Sequence, residues 1–340
     1  MKREIAPLAI SCGDPSGIGP YVALNAALAL AKEHPSVLFG DAEQLHQLAR
    51  HAPAMPLSVL GTMDEWTPSH QAVSVIDVCR ISSNDISKHT PNAACGNAQL
   101  QFLKRAADAV MHGKARALVT APMSKASVSM SGVNFHGHTE FLADIAGLAT
   151  DAVSMLFLGP RLKTALVTTH LSLKHVPMAI TAKRVTRAIV HAAEAILALA
   201  RAGQVSLPAS LVVCGLNPHA GEEGLFGLEE SQHIAPGMHQ ARQHAVFNNG
   251  NVELVGPLGA ETAFRLAASG TYAAAVAMYH DQATIASKLL DWNHAVNVTW
   301  GLPFVRTSVD HGVAYDAAKT GTADATAMVA AMRVALDLSQ

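Results

Sequence analysis

Short apolar runs recur along the chain, each ending at a turn or polar cluster and most followed by an amphipathic stretch. PLAISC gives way to Gly13-Asp14-Pro15-Ser16-Gly17-Ile18-Gly19-Pro20 and then to a helical pattern over Val22 to Lys32, with proline at the helix start, where its missing N–H costs nothing. ALVT (Ala117 to Thr120) precedes a loop, TALVTT precedes a helix over Ala182 to Ala200, and SLVVCG precedes another loop. Continuous rather than alternating apolar runs read as strands covered on both faces, and repeated strand-to-helix order makes the sheet mostly parallel. The expected class is therefore α/β, with parallel strands flanked by helices.

At 340 residues the chain exceeds the usual size of one domain, so two lobes are expected. No Pro- or Ser-rich linker divides them, which points to lobes that share a sheet or exchange segments. The stretch from Asp64 to Asn97 is rich in polar and turn residues and reads as an irregular connection or small accessory strands. Hydrophobic residues make up 50% and charged residues 15%, which excludes a disordered chain. With Lys+Arg 24 against Asp+Glu 26 and no long basic block, a nucleic-acid partner is not expected. Cys12, Cys79, Cys95 and Cys214 form no C-x-x-C pair and suit buried thiols in a reducing compartment. The opening MKREIAPLAISCGDP has too short an apolar stretch for a signal-peptide core, and no segment approaches the roughly 20 apolar residues of a membrane span. A cytoplasmic protein without membrane attachment is the expectation.

Three histidines occupy equivalent places. His170 closes ALVTTH, His219 follows LVVCGLNPH, and His280 closes AAAVAMYH, each at or just past a strand-like run. Ligands of open α/β sheets gather outside the carboxyl ends of strands, so imidazoles placed there can converge although they are far apart in the chain. Three nitrogen ligands with one open position form a catalytic zinc-type site, and Asp281 and Gln282 are placed to orient the rings. The chain holds 18 histidines, and a satisfied polar or surface role is the alternative for any one of them.

Other clusters carry weaker signals. The Gly13 to Gly19 loop suits an anion at a helix N-terminus or simply a tight turn, and it matches neither G-x-G-x-x-G nor the P-loop. Phe135-His136-Gly137-His138-Thr139-Glu140 lies ahead of a helix that His138 or Thr139 can cap. Arg306 alternates with Phe304 and Ser308 along a strand, and its planar fork suits a phosphate or carboxylate, or a surface salt bridge.

In order and spacing, GDPSGIGP, GHTEFLAD, VTTHLSLKHV, CGLNPHAGEEGLFGLEE, AMYHDQ and GLPFVRTSVDHG resemble the signature segments of the 4-hydroxythreonine-4-phosphate dehydrogenase family of vitamin B6 biosynthesis, from about Ile10 to Met328. The resemblance implies a two-lobed fold similar to isocitrate and isopropylmalate dehydrogenases. The lobes would be a cofactor-side domain, 1–134 plus 300–340, and a metal, substrate and dimerisation domain, 135–299. It implies His170, His219 and His280 as ligands of a divalent metal, commonly zinc with magnesium or cobalt as alternatives, in a site at a homodimer interface. It gives His138, Thr139, Lys288, Asn297 and Arg306 to the substrate, and His311, Gly312 and Asp316, in a loop similar to the adenine-side loop of those dehydrogenases, to NAD or NADP.

The implied reaction is oxidation of 4-phosphohydroxy-L-threonine to the 3-oxo acid, followed by decarboxylation to 3-amino-2-oxopropyl phosphate. Two departures bear on substrate. HDQATIASKLLDWNHAVN lacks the usual Gly- and Pro-containing stretch, and Ala121-Pro122-Met123-Ser124-Lys125 differs from the familiar GPxxK. Branches of the family act on 4-phosphothreonate or phosphoerythronate and on the cis-dihydrodiol of terephthalate, which are the alternatives. A metal-dependent hydrolase or a non-catalytic metal-binding protein would leave the HGVAYD loop without a purpose.

Overall fold

The computed structural model describes residues 6–50 and 55–340. Twelve strands follow one another among these residues: β1 (Leu8–Ser11), β2 (Ser36–Gly40), β3 (Leu57–Leu60), β4 (Val73–Asp77), β5 (Ala117–Thr120), β6 (Ser154–Leu158), β7 (Lys163–Leu166), β8 (Ala209–Cys214), β9 (Val252–Leu258), β10 (Ala274–Ala277), β11 (Val296–Trp300) and β12 (Val305–Ser308). The chain divides into two compact units. One holds residues up to Leu148 together with Leu302–Ser339, and the other holds Ala149–Gly301.

In the first unit the strand order is β3-β4-β2-β1-β5-β12 and every pairing is parallel. β1, β2 and β5 are buried along their whole length, which is why β1 and β5 read as uninterrupted apolar runs. Their side chains pack with Leu103, Ala106 and Ala107 of the helix Ala93–Met111. The unit continues to Leu148 because Phe135 and Leu142 belong to that same core. His138 and Thr139, in the helix His138–Ile145, therefore lie in this unit rather than with the three histidines.

β4 decides between the two readings of Asp64 to Asn97, an irregular connection or small accessory strands, in favour of a strand. Val73 to Ile76 are buried and pair parallel with both β2 and β3. The polar and turn residues that hid this strand lie on either side of it.

In the second unit the order is β11-β6-β7-β10-β8-β9. β6 pairs antiparallel with β7 and β11, and the other pairings are parallel. The helix Ala182–Arg201 covers this sheet with Val185, Ile189, Ile196 and Leu199. Among the described residues, no helix is long and apolar enough to cross a membrane.

Candidate active-site residues

In the second unit, the backbone carries β7 and β10 past their last strand residues side by side. Val167 N–H donates to Ala277 C=O at 2.9 Å and Thr168 N–H to Met278 C=O at 3.2 Å, while the Thr168 hydroxyl donates to the same Met278 oxygen at 2.7 Å. This zipper delivers His170 and His280 to one place, with ring centroids 5.6 Å apart. His280 is not the end of the strand; it opens the helix His280–Asp291. The two imidazoles border a cleft of about 290 Å³ whose walls include Tyr279 and Asp281 on the polar side and Leu171, Leu173 and Val176 on the apolar side.

His280 Nδ1 and Asp281 Oδ1 are 2.7 Å apart. A carboxylate on Nδ1 fixes the proton there and leaves Nε2 with its lone pair outward, the arrangement that commonly supports a metal-binding imidazole. Gln282 does not orient an imidazole. Its Oε1 accepts from Met278 N–H at 2.7 Å and its Nε2 donates to Gly215 C=O at 3.0 Å, so it ties the end of β10 to the end of β8.

His219 stands apart from this pair, exposed on the Pro218–Gly224 turn beyond β8 and 6.4 Å from the Phe226 ring. Among the described residues of the single chain, no group of three or more His, Cys, Asp or Glu side chains is gathered to hold a metal ion. His170, His280 and the Asp281 support suit a divalent ion in donor chemistry, but as two nitrogens rather than three. Lys288 lies in the last turn of the helix His280–Asp291, and Asn297 is half-buried in β11 opposite Phe157 of β6.

In the first unit, Arg306 is 2% exposed and donates from Nη2 to the Thr120 hydroxyl at 2.7 Å. Burial pushes its guanidinium down to about 9, with Glu140 pulling it back up, so it remains a cation at neutral pH. A surface salt bridge is excluded by that burial. His138 lies well below the usual histidine range because it is desolvated, with Arg306 and then Lys125 adding to the effect. Among the described residues, its Nε2 and the Glu140 Oε2 are both buried and have no hydrogen-bond partner. Buried polar atoms without partners are rare in native proteins and mark places where a ligand or water completes the bonding.

Neither His138 nor Thr139 caps the helix, because Gly137 occupies that position and the first turn carries no side-chain cap.

The Gly13 to Gly19 loop resolves as a packing turn. Its amides are already taken: Asp14 N–H donates to Pro122 C=O at 2.9 Å, Ser16 N–H to Asp14 Oδ1 at 2.9 Å, and Ile18 N–H to Val313 C=O at 3.0 Å. A Cβ on Gly17 would sit 2.7 Å from the Val313 carbonyl oxygen, so glycine admits the loop that carries His311, Gly312 and Asp316. Those three residues are exposed.

Two groups missed by the sequence reading hold that loop. Tyr315 OH donates to the fully buried Asp14 Oδ2 at 2.8 Å, and Ser127 Oγ donates to the same oxygen at 3.1 Å. Desolvation raises the Asp14 carboxyl above its ordinary range, and the hydrogen bonds from Ser16, Tyr315, Ser127 and Gln99 offset it in part. The pairing links positions 301 apart in sequence, so no local pattern announces it.

The first unit's parallel sheet and the second unit's mixed one are those of an α/β protein, and the relatives of this chain make it a dehydrogenase. A dehydrogenase of 4-hydroxythreonine-4-phosphate from Geobacter metallireducens is 36% identical over 100% of this chain and 97% of its own length. The crystal structure of a 4-hydroxythreonine-4-phosphate dehydrogenase from Klebsiella pneumoniae superposes with a TM-score of 0.81 at 32% identity, covering 98% of this chain and 100% of the other. A terephthalate 1,2-cis-dihydrodiol dehydrogenase from Burkholderia xenovorans reaches 0.67 at 29% identity, covering 98% of each. The family model of the pyridoxal phosphate biosynthetic protein PdxA matches residues 31–335, and the chain belongs to that family.

Proposed function

We propose that the protein oxidises 4-phosphohydroxy-L-threonine with NAD or NADP to the 3-oxo acid, which then loses CO₂ to give 3-amino-2-oxopropyl phosphate. The observation that carries this reading is the buried Arg306 cation accompanied by His138, whose buried Nε2 has no partner among the described residues. A desolvated guanidinium is suited to a dianionic phosphate, which it meets with two parallel charge-assisted hydrogen bonds. Thr139, Lys288 and Asn297 complete the proposed substrate contacts. The names of the relatives support the phosphorylated substrate over the aromatic dihydrodiol.

In the reaction, C3 gives a hydride to the nicotinamide and its hydroxyl gives up a proton, leaving a ketone β to the carboxylate. His138 enters neutral, because burial, Arg306 and Lys125 disfavour the imidazolium, and its ring can accept a hydrogen bond from the substrate. His170, His280 and His219 would hold a divalent ion, which when bound would supply positive charge for the oxygen that loses its proton. Asp281 holds the His280 ring for that task.

We place the metal site where two copies of the chain meet, which also answers the separation of His219 from the other two imidazoles. Leu171, Leu173 and Met178 beyond β7, and Leu225 and Phe226 beyond His219, are exposed near the proposed ligands in sequence. His311, Gly312 and Asp316 are the proposed cofactor contacts, and the free thiols Cys12, Cys95 and Cys214, all buried, suit the cytoplasm.

The test is steady-state kinetics followed by NADH absorbance, with 4-phosphohydroxy-L-threonine and the terephthalate cis-dihydrodiol side by side. Turnover of the phosphorylated substrate is expected. Turnover of the dihydrodiol alone would overturn the proposed substrate.

A further inference from the structure

We propose that Glu230 is a positioning residue that sets the place of His219, an inference that rests on the metal reading of His219. The loop bearing this histidine has a backbone that few sequences adopt. His219, Ala220, Gly221, Glu222 and Glu223 have φ of 51, 52, 86, 42 and 54°, a run of left-handed residues of which only one is glycine. Non-glycine residues visit this region singly because Cβ crowds the carbonyl oxygen, so a run of this kind persists only where surroundings over-determine it.

Besides the Phe226 N–H bond to Gly221 C=O at 3.1 Å, the main side-chain hold on the loop is a buried carboxylate. Glu230, 6% exposed, accepts the Leu216 and Asn217 amides on Oε1, both at 2.8 Å, and the Asn217 side-chain amide on Oε2 at 3.0 Å. Asn217 Nδ2 also donates to Glu229 Oε2 at 2.8 Å. The carboxylate thus grips the loop immediately before the left-handed run. It reaches into the run as well, since a Cβ on Gly221 would lie 2.8 Å from Glu230 Oε2. The grip is mounted on a firm base, because Glu230 opens a π-helical turn that continues directly into the helix Ala235–Arg242.

His219 itself is exposed, and its recorded neighbour is the Phe226 ring rather than a hydrogen-bonding group. Its position is therefore inherited from the backbone, and the backbone from Glu230. The same outward-facing loop would otherwise relax toward right-handed conformations and carry the imidazole with it.

Glu230→Gln tests this. The amide oxygen can still accept from Leu216 and Asn217, but the amide nitrogen faces the Asn217 Nδ2 donor. Cobalt(II) titration of the metal-free full-length protein, read by visible d–d absorption, is expected to show affinity reduced about 10- to 100-fold, the range for residues that orient ligands. The saturated spectrum should also be changed in intensity. Asn217→Ala leaves both backbone bonds to Glu230 in place and serves if E230Q does not fold; a smaller loss, about 5-fold, is expected. A carboxylate with a purely structural role would lower the melting temperature of the metal-free protein while leaving cobalt affinity and spectrum of the folded variant unchanged, and that result overturns the proposal. His219→Ala, run in parallel, separates the two levels. If H219A binds cobalt like the wild type, the metal reading of His219 fails and this inference with it; if H219A loses affinity while E230Q and N217A keep it, only the positioning role fails.

Discussion

At the scale of single residues, Arg306 is the side chain whose chemistry is most constrained. It is buried, cationic at neutral pH, and held by the Thr120 hydroxyl. A charge-assisted pair of hydrogen bonds to phosphate is worth about 1.5–3 kcal/mol, so Arg306→Ala should lower kcat/KM for the phosphorylated substrate by roughly 10- to 150-fold, with most of the loss in KM. Arg306→Lys restores charge without the planar fork and should recover only part of it, as initial-rate kinetics will show. His191 makes a different prediction. Its Nδ1 lies 2.9 Å from Ser154 Oγ, and burial, helped by Arg187 and His244, takes its pKa down to about 4. The unfolded chain then binds a proton that the folded one refuses, so the stability this group provides is complete above pH 6.5 and lost as pH falls toward 4. Replacing His191 by Gln should remove on the order of 1–3 kcal/mol of that acid sensitivity, measured as the difference in urea unfolding free energy between pH 7 and pH 4.5 for the two proteins.

At the scale of elements, close approach decides what is tolerated. Gly96 lies in the helix Ala93–Met111 where a Cβ would overlap the Ser127 carbonyl oxygen of the short helix Lys125–Met130. Gly96→Ala gains helix propensity of about 1 kcal/mol but forces the helices apart, and overpacking of a buried contact costs about 1–3 kcal/mol. Net destabilisation, seen as a lowered melting temperature, is expected; a raised one would show that the contact yields freely. Such contacts also explain which elements were legible. β1, β5 and β8 are buried on both faces, so burial wrote itself into the sequence as unbroken apolar runs. β4 is just as buried over Val73 to Ile76 and no shorter than β1 or β5, yet its polar flanks left a strand as only one of two readings of that segment. His170 and His280 were readable because both follow strand ends that the sheet places side by side. The left-handed run at His219 and the Asp14–Tyr315 bond were not, since one is enforced by a carboxylate beyond the loop and the other joins distant segments. For the same reason the anion-binding reading of the glycine loop gave way to packing, because the amides it needed were claimed by Pro122 and Val313.

At the scale of the whole molecule, the second unit leaves a stripe of large apolar side chains exposed. On the helix His280–Asp291, which begins with a proposed metal ligand and ends near Lys288, Ile285 is 60% exposed and Leu289 81%, and Trp292 just beyond it is 74% exposed. Single exposed apolar residues need no explanation, but Ile285, Leu289 and Trp292 recur at spacings of four and three and so share one face of the helix, leaving a stripe open to water. Under the proposed interface a second copy of the chain would cover this stripe, and it would also bring in the third imidazole of the proposed metal site. If two chains bury that stripe, a charge introduced at its centre must be desolvated at the interface, which costs several kcal/mol unless it is paired. Leu289→Glu should then shift sedimentation velocity from the dimer toward the monomer at micromolar concentration. It should also cut turnover in proportion to the monomer formed, if the proposed ligand set is completed only in the pair. Monomer already present in the wild type, with full activity, would sink the interface placement. A dimer that L289E leaves intact would move the interface off this helix face.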